Sequence, residues 1–261
     1  MSTLLLLIST ILYRPYVFIF LLIFLVVSIH VMGWKRTFVF TLITWAVAFS
    51  AEWTSTRFGI PFGDYYYTEN TRLIELFISN IPFMDPLSFT FLLYASNTLA
   101  LCLVLPITKT QDGIALADDL ERRHSISAIL ISAFLFAWID VVIDPLALRG
   151  DRWFLGKIFG YPHGGIYFGV PISNFIGWSV VGLVSLTLFS GVDWFLITQR
   201  EETLAYLRNS RIKVLGGVFL YYIVLIFNLV MTFYIGEPLI GTVGIFIQLP
   251  IFVLLVLKFL G

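Results

Sequence analysis

The run "PYVFIFLLIFLVVSIHVMGWKRTFVFTLITWAVAFS", Pro15 to Ser50, decides the fold. Two apolar stretches flank the short segment "GWKR", Gly33 to Arg36. Each comes close to the roughly 20 apolar residues that a helix needs to cross a bilayer. The pair reads as two spans, 15–33 and 34–53, joined by a tight hairpin. Lipid offers the backbone no hydrogen-bond partners, so only helices and closed barrels cross it. These runs are too long and too continuous for the alternating strands of a barrel.

The rest of the chain follows the same pattern. Of its 261 residues 59% are hydrophobic and only 12% charged, with a mean hydropathy of +0.94. Soluble domains carry about 25% charged residues. Five further apolar runs lie at about 83–106, 125–143, 166–190, 212–234 and 238–257. The expected fold is all-α: one polytopic transmembrane helix bundle over residues 1–261, with about seven spans. The bilayer is then its first partner, and a multi-pass place in the cell membrane is expected. The opening "MSTLLLLISTILYRPY" is too short for a full span. It lacks the basic start and the cleavage site of a signal peptide, so a short interfacial helix is expected there. A formal net charge of zero leaves no nucleic-acid footprint. The single cysteine, Cys102, excludes a disulfide within the chain, a two-thiol redox motif and a Cys-rich metal site.

Lys and Arg set the orientation. With seven spans, Lys35, Arg36, Lys109, Arg122, Arg123, Arg200, Arg208, Arg211, Lys213 and Lys258 share one face, which is expected to be cytoplasmic. Arg14, Arg57, Arg72, Arg149, Arg152 and Lys157 share the other. That second face also receives the loops at about 54–82 and 144–165, which are rich in Gly, Pro, Tyr and Trp.

Ionisable groups at membrane depth are costly and mark functional candidates. Glu52 ends the second span in "TWAVAFSAEW"; Asp140 lies inside the fourth, in "FAWIDVVIDP", and Asp144 ends it. Glu237, in the turn "IGEP", reads more simply as an interfacial or capping acid. Asp140 and Asp144 are four apart and share a helix face. Two carboxylates so close in a low dielectric resist ionising together. A protonated acid beside an ionised one is the pair that acid–base catalysis needs. The same acids could instead pair with Arg149, Arg152 or Arg57 as structure. Pro145 is expected to stop their helix.

A third element is "GYPHGGIYFGVPISNFIGW", Gly160 to Trp178. Asn174 there could hydrogen-bond an acid across helices or only tie two helices together. His163 could carry a proton or be an ordinary loop histidine. Tyr65, Tyr66, Tyr67, Trp53 and Trp153 fit an interfacial belt. Their faces equally suit a slot for an apolar chain and a carbocation. No paired His with metal-ligand spacing, no phosphate or dinucleotide fingerprint and no Gly-x-Ser-x-Gly elbow occurs.

Taken in order, "AEWTSTRFGIPFGDYYYT", "DVVIDPLALRGDRW" and "GGIYFGVPISNFIGW" resemble the membrane-integral carotenoid biosynthesis family, of the carotenoid 1,2-hydratase type. The resemblance covers about Trp34 to Trp178. It implies addition of water across the terminal C1=C2 double bond of an acyclic carotenoid, giving a tertiary alcohol with no cofactor and no metal. In that chemistry Asp140 is the first choice for the acid or part of the acid pair. Asp144 and Glu52 hold the acid or polarise water, and Asp64 is either a further catalytic carboxylate or the cap of a turn. Tyr65, Tyr67, Trp138, Asn174 and His163 are the candidate substrate contacts. The resemblance leaves room for other carotenoid-pathway enzymes as partners. Three other readings stay open. A cyclase would use the same protonation, and a prenyltransferase would use "DVVID" to hold magnesium diphosphate. A lipid transporter would do no chemistry.

Overall fold

The computed structural model describes residues 2–110, 113–116, 120–198 and 210–260. Among these, eight helices appear: α1 (Thr3–Tyr13), α2 (Pro15–Phe58), α3 (Met84–Val104), α4 (Leu120–Arg123), α5 (Ile126–Ala147), α6 (Ile172–Thr198), α7 (Ser210–Tyr234) and α8 (Pro238–Leu260). Six of them are long and apolar enough to cross a membrane. The first, α2, is 44 residues long but is broken at Gly33, where φ is 80° and ψ 161°. The break folds it back on itself. Phe24 and Phe40, sixteen positions apart in sequence, lie with ring centroids at 6.1 Å, and both touch Tyr94 of α3. In a continuous helix they would stand about 24 Å apart. The six helices thus supply seven apolar legs, and the expected hairpin is one glycine.

That backbone region is almost closed to residues with a Cβ. No atom crowds the position where a Cβ on Gly33 would lie, so the constraint there is conformational. Gly33→Ala is expected to cost about 1–3 kcal/mol, read as a lower melting temperature in detergent.

Outward faces are apolar, as lipid requires. On the first leg of α2, Ile19, Leu22, Val26 and Ile29 are exposed while Val17, Phe20, Phe24 and Ser28 are buried. This is the 3.6-residue period of one lipid-facing and one protein-facing stripe. The core joins both legs of α2 to α3, α5, α6 and α7. Short antiparallel strand pairs cap the bundle: β1 (Tyr66–Tyr67) with β6 (Phe159–Gly160), β2 (Phe77–Ile78) with β3 (Ile81–Pro82), and β4 (Ile107–Thr110) with β5 (Gly113–Leu116).

Two expectations change. Pro145 does not stop its helix, because α5 runs on to Ala147 and closes with Leu148 N–H on the Asp144 carbonyl. Proline removes its own N–H and crowds the carbonyl four residues earlier, yet the helix still runs two residues past it. The fifth span starts at Ile172 and not near 166. Tyr167 and Val170 exchange backbone hydrogen bonds in the loop before it. A Cβ on Gly165 would lie 2.0 Å from the Val170 carbonyl carbon, so only glycine allows that close turn.

The two ends of the bundle carry different clasps. At one end Arg36 of α2 binds Asp193 of α6 through two nitrogens, and His124 Nε2 lies 2.8 Å from the same carboxylate. At the other end Arg14 donates to both oxygens of Glu75, at 2.9 and 2.6 Å, and to the Leu155 carbonyl. Arg14 and Glu75 are both fully buried. Glu237 ties down Arg149 and Arg152, in keeping with an interfacial role for it.

Candidate active site

At the Arg14 end a cavity of about 130 Å³ opens among both legs of α2, α3, α5, α6, α7 and the loops above them. Its wall is rich in aromatic side chains. Phe89 of α3 stacks on Trp178 of α6 at 4.2 Å between ring centroids, and Phe62 lies edge-on to Phe89 at 6.0 Å. Tyr16 stacks on Phe227 at 5.4 Å on another part of the wall.

The segment "FGIPFGDYYYTE" forms part of the roof. Phe62 N–H donates to Ser55 Oγ at 2.9 Å, which folds the segment back onto the turn of α2 that carries Glu52. Ser173 Oγ donates to the Phe62 carbonyl at 3.1 Å and ties it to α6. Beneath it α6 presents Gly177, where a Cβ would lie 2.4 Å from the Phe62 ring. Pairing of β1 with β6 then closes the roof, with Thr68 N–H on the Ile158 carbonyl at 2.8 Å.

Two carboxyl pairs stand in this setting. In the first, Asn174 uses its two amide hydrogens as a bridge, to Asp140 Oδ2 at 2.7 Å and to Asp144 Oδ2 at 2.8 Å. Tyr161 donates to the same Asp144 oxygen at 2.9 Å. Asp144 therefore receives two donors and lines the cavity. Asp140 sits behind it with no exposed surface, and its Oδ1 has no hydrogen-bond partner. In the second pair, Tyr67 Oη lies 2.9 Å from Glu52 Oε2 and 2.6 Å from Asp85 Oδ2. Glu52 and Asp85 both line the cavity. Tyr65 stands between the pairs, its ring 5.4 Å from that of Tyr67 and 6.2 Å from that of Tyr161. Burial pushes the Tyr65, Tyr67 and Tyr161 phenols up from their ordinary range, so all three remain neutral donors.

Of the residues singled out in the sequence, Glu52, Asp140, Asp144, Tyr65, Tyr67 and Asn174 converge here. Neither Arg149 nor Arg152 takes the acids as partners; both bind Glu237. Three stand elsewhere. Asp64 is exposed and packs over Gly59 in the turn after α2, which suits a turn residue. His163 is exposed in the loop before α6. Trp138 faces α8, donating to the Ile247 carbonyl at 3.2 Å. It is two residues from Asp140, which on a helix is about 200° round the axis.

Asp85 and Tyr161 escaped the sequence reading. Asp85 lies in the first turn of α3 and passes for an ordinary first-turn acid. A signal was present nonetheless, since Asp85-Pro86 repeats the Asp144-Pro145 dipeptide at the same end of the bundle. Among the described residues no group of three or more His, Cys, Asp and Glu is arranged to hold a metal ion.

The chain is 25% identical over 179 residues to the bisanhydrobacterioruberin hydratase of Haloarcula japonica, a stretch covering 67% of this chain and 53% of that protein. The chain thus spans about half the length of the curated relative it matches. No solved structure matches it. The carotenoid biosynthesis protein family matches residues 5–250, nearly the whole length. On that match, the chain belongs to the carotenoid biosynthesis protein family.

Proposed function

We propose that this protein adds water across the terminal C1=C2 double bond of an acyclic carotenoid. The observation that carries the reading is an aromatic-rich cavity lined by three carboxyl groups, Glu52, Asp85 and Asp144, each in contact with a neutral phenol or amide donor. Alkene hydration needs a proton donor, a surface that tolerates a cation, and a base for water. A carboxylic acid gives its proton to C2, and the π electrons form the new C–H bond. Positive charge develops at C1, a tertiary centre. The faces of Phe89, Trp178 and Tyr65 suit such a cation through their quadrupoles. Asp144, held by two donors, takes a proton from water as its oxygen bonds to C1. The product is a tertiary alcohol, and the substrate is wholly apolar, which fits a site among lipid-facing helices. The relative's name also favours hydration. The cell membrane remains the proposed location.

Expression in a host that accumulates an acyclic carotenoid tests this. The expected pigment is heavier by one water per reacted end. A pigment of unchanged mass with a new ring would mean cyclisation. Loss of activity with a chelator would point to the magnesium-dependent prenyltransferase.

A further inference from the structure

A phenol has one hydrogen to donate. Tyr67 Oη nevertheless lies within hydrogen-bond distance of two carboxyl oxygens, Asp85 Oδ2 at 2.6 Å and Glu52 Oε2 at 2.9 Å. Both contacts are hydrogen bonds only if one carboxyl carries a proton and donates it to the phenol oxygen. The shorter contact has the length of an O–H···O⁻ bond, the longer that of a neutral one. An ionised Asp85 accepting from Tyr67, with a protonated Glu52 donating to the phenol oxygen, satisfies both contacts. Glu52 is 2% exposed, lines the cavity, and its Oε1 is buried without a partner. A lone buried carboxylate in that position would be costly, whereas a neutral acid is not.

We infer that Glu52, Tyr67 and Asp85 form a proton-sharing unit that protonates the substrate alkene, with Asp85 a functional residue of the site. This rests on the hydration reading above. The Glu52 O–H bond breaks as the C2–H bond forms, leaving the Glu52 carboxylate and the cation at C1. Tyr67 is placed to turn its hydrogen toward the new carboxylate. Two neighbouring carboxylates then drive the unit to take a proton back. That proton is the one Asp144 gained from water. Tyr161, on Asp144 at 2.9 Å, and Tyr65, with its hydroxyl 3.5 Å from that of Tyr67, lie between the two pairs. Electrons and protons balance over the cycle: one water enters, and both pairs return to their starting state. Asp140, away from the cavity wall, acts through Asn174 as a positioning residue for Asp144.

The test uses the full chain, purified in detergent, with an acyclic carotenoid bearing a terminal isopropylidene group. Glu52→Gln keeps the shape of the neutral acid but cannot give its proton. It and Asp85→Asn are each expected to slow hydration by about 10²–10⁴-fold, the range for general acid catalysis. Glu52→Asp should recover part of the loss. Tyr67→Phe should raise the solvent deuterium isotope effect on kcat, which a purely structural role would not do. Asp64→Asn, in an exposed turn outside the cavity, should keep the wild-type rate. Wild-type hydration together with unimpaired Glu52→Gln and Asp85→Asn enzymes would overturn this assignment alone. A wild-type protein that hydrates no acyclic carotenoid would overturn the functional reading beneath it.

Discussion

Asp144→Asn is expected to lower hydration by about 10²–10⁴-fold while leaving the protein folded. The amide oxygen of asparagine can still accept from Tyr161 and Asn174, so the local bonds survive. What is lost is the charge that, in the proposed hydration, takes a proton from water. Asp140→Asn is expected to cost less, because Asp140 does not line the cavity and reaches the chemistry only through Asn174. Initial rates for both variants, with membrane levels and melting temperatures alongside, check the order. Were Asp140→Asn the more damaging, depth in the membrane rather than contact with the cavity would mark the working acid.

The largest expected loss of stability comes from Arg14→Met. Arg14 and Glu75 are both fully buried, and the arginine also holds the Leu155 carbonyl. Removing one partner strands the other charge, at a cost of about 3–5 kcal/mol. The clasp fixes both loops that roof the cavity, around Glu75 and Leu155, so substrate binding should weaken as well. Glu75→Gln on the Arg14→Met background should restore much of the stability, since the stranded charge is gone. Thermal unfolding of the single and double variants in detergent decides it. Additive losses would mean that packing, and not the ion pair, sets the cost.

The bundle was legible because bilayer thickness imposes a length that composition reveals. The hairpin at Gly33 was legible for the same reason, since two long apolar stretches flank the segment "GWKR". The acids were legible where they interrupt apolar runs, as Glu52, Asp140 and Asp144 do. Asp85 was not, because an acid in a first helical turn is ordinary and only its contact with Tyr67, eighteen residues earlier, sets it apart. Nor could sequence join Arg14 to Glu75, 61 positions away, or Tyr161 to Asp144 across a loop. Trp138 stands apart for a different reason, since it faces α8. Helical periodicity already turned it away from Asp140, and its aromatic character alone had suggested the site. His163 and Asp64 show the limit of reading loops, where residue type says little about which way a side chain faces.

In the proposed hydration, water and not an internal nucleophile captures the cation. The most direct measurement runs the purified protein on an acyclic carotenoid in water labelled with heavy oxygen and deuterium. Hydration gives a product carrying one heavy oxygen at C1 and one deuterium at C2 for each reacted end. A product with deuterium but no added oxygen, at the mass of a cyclised isomer, would contradict it.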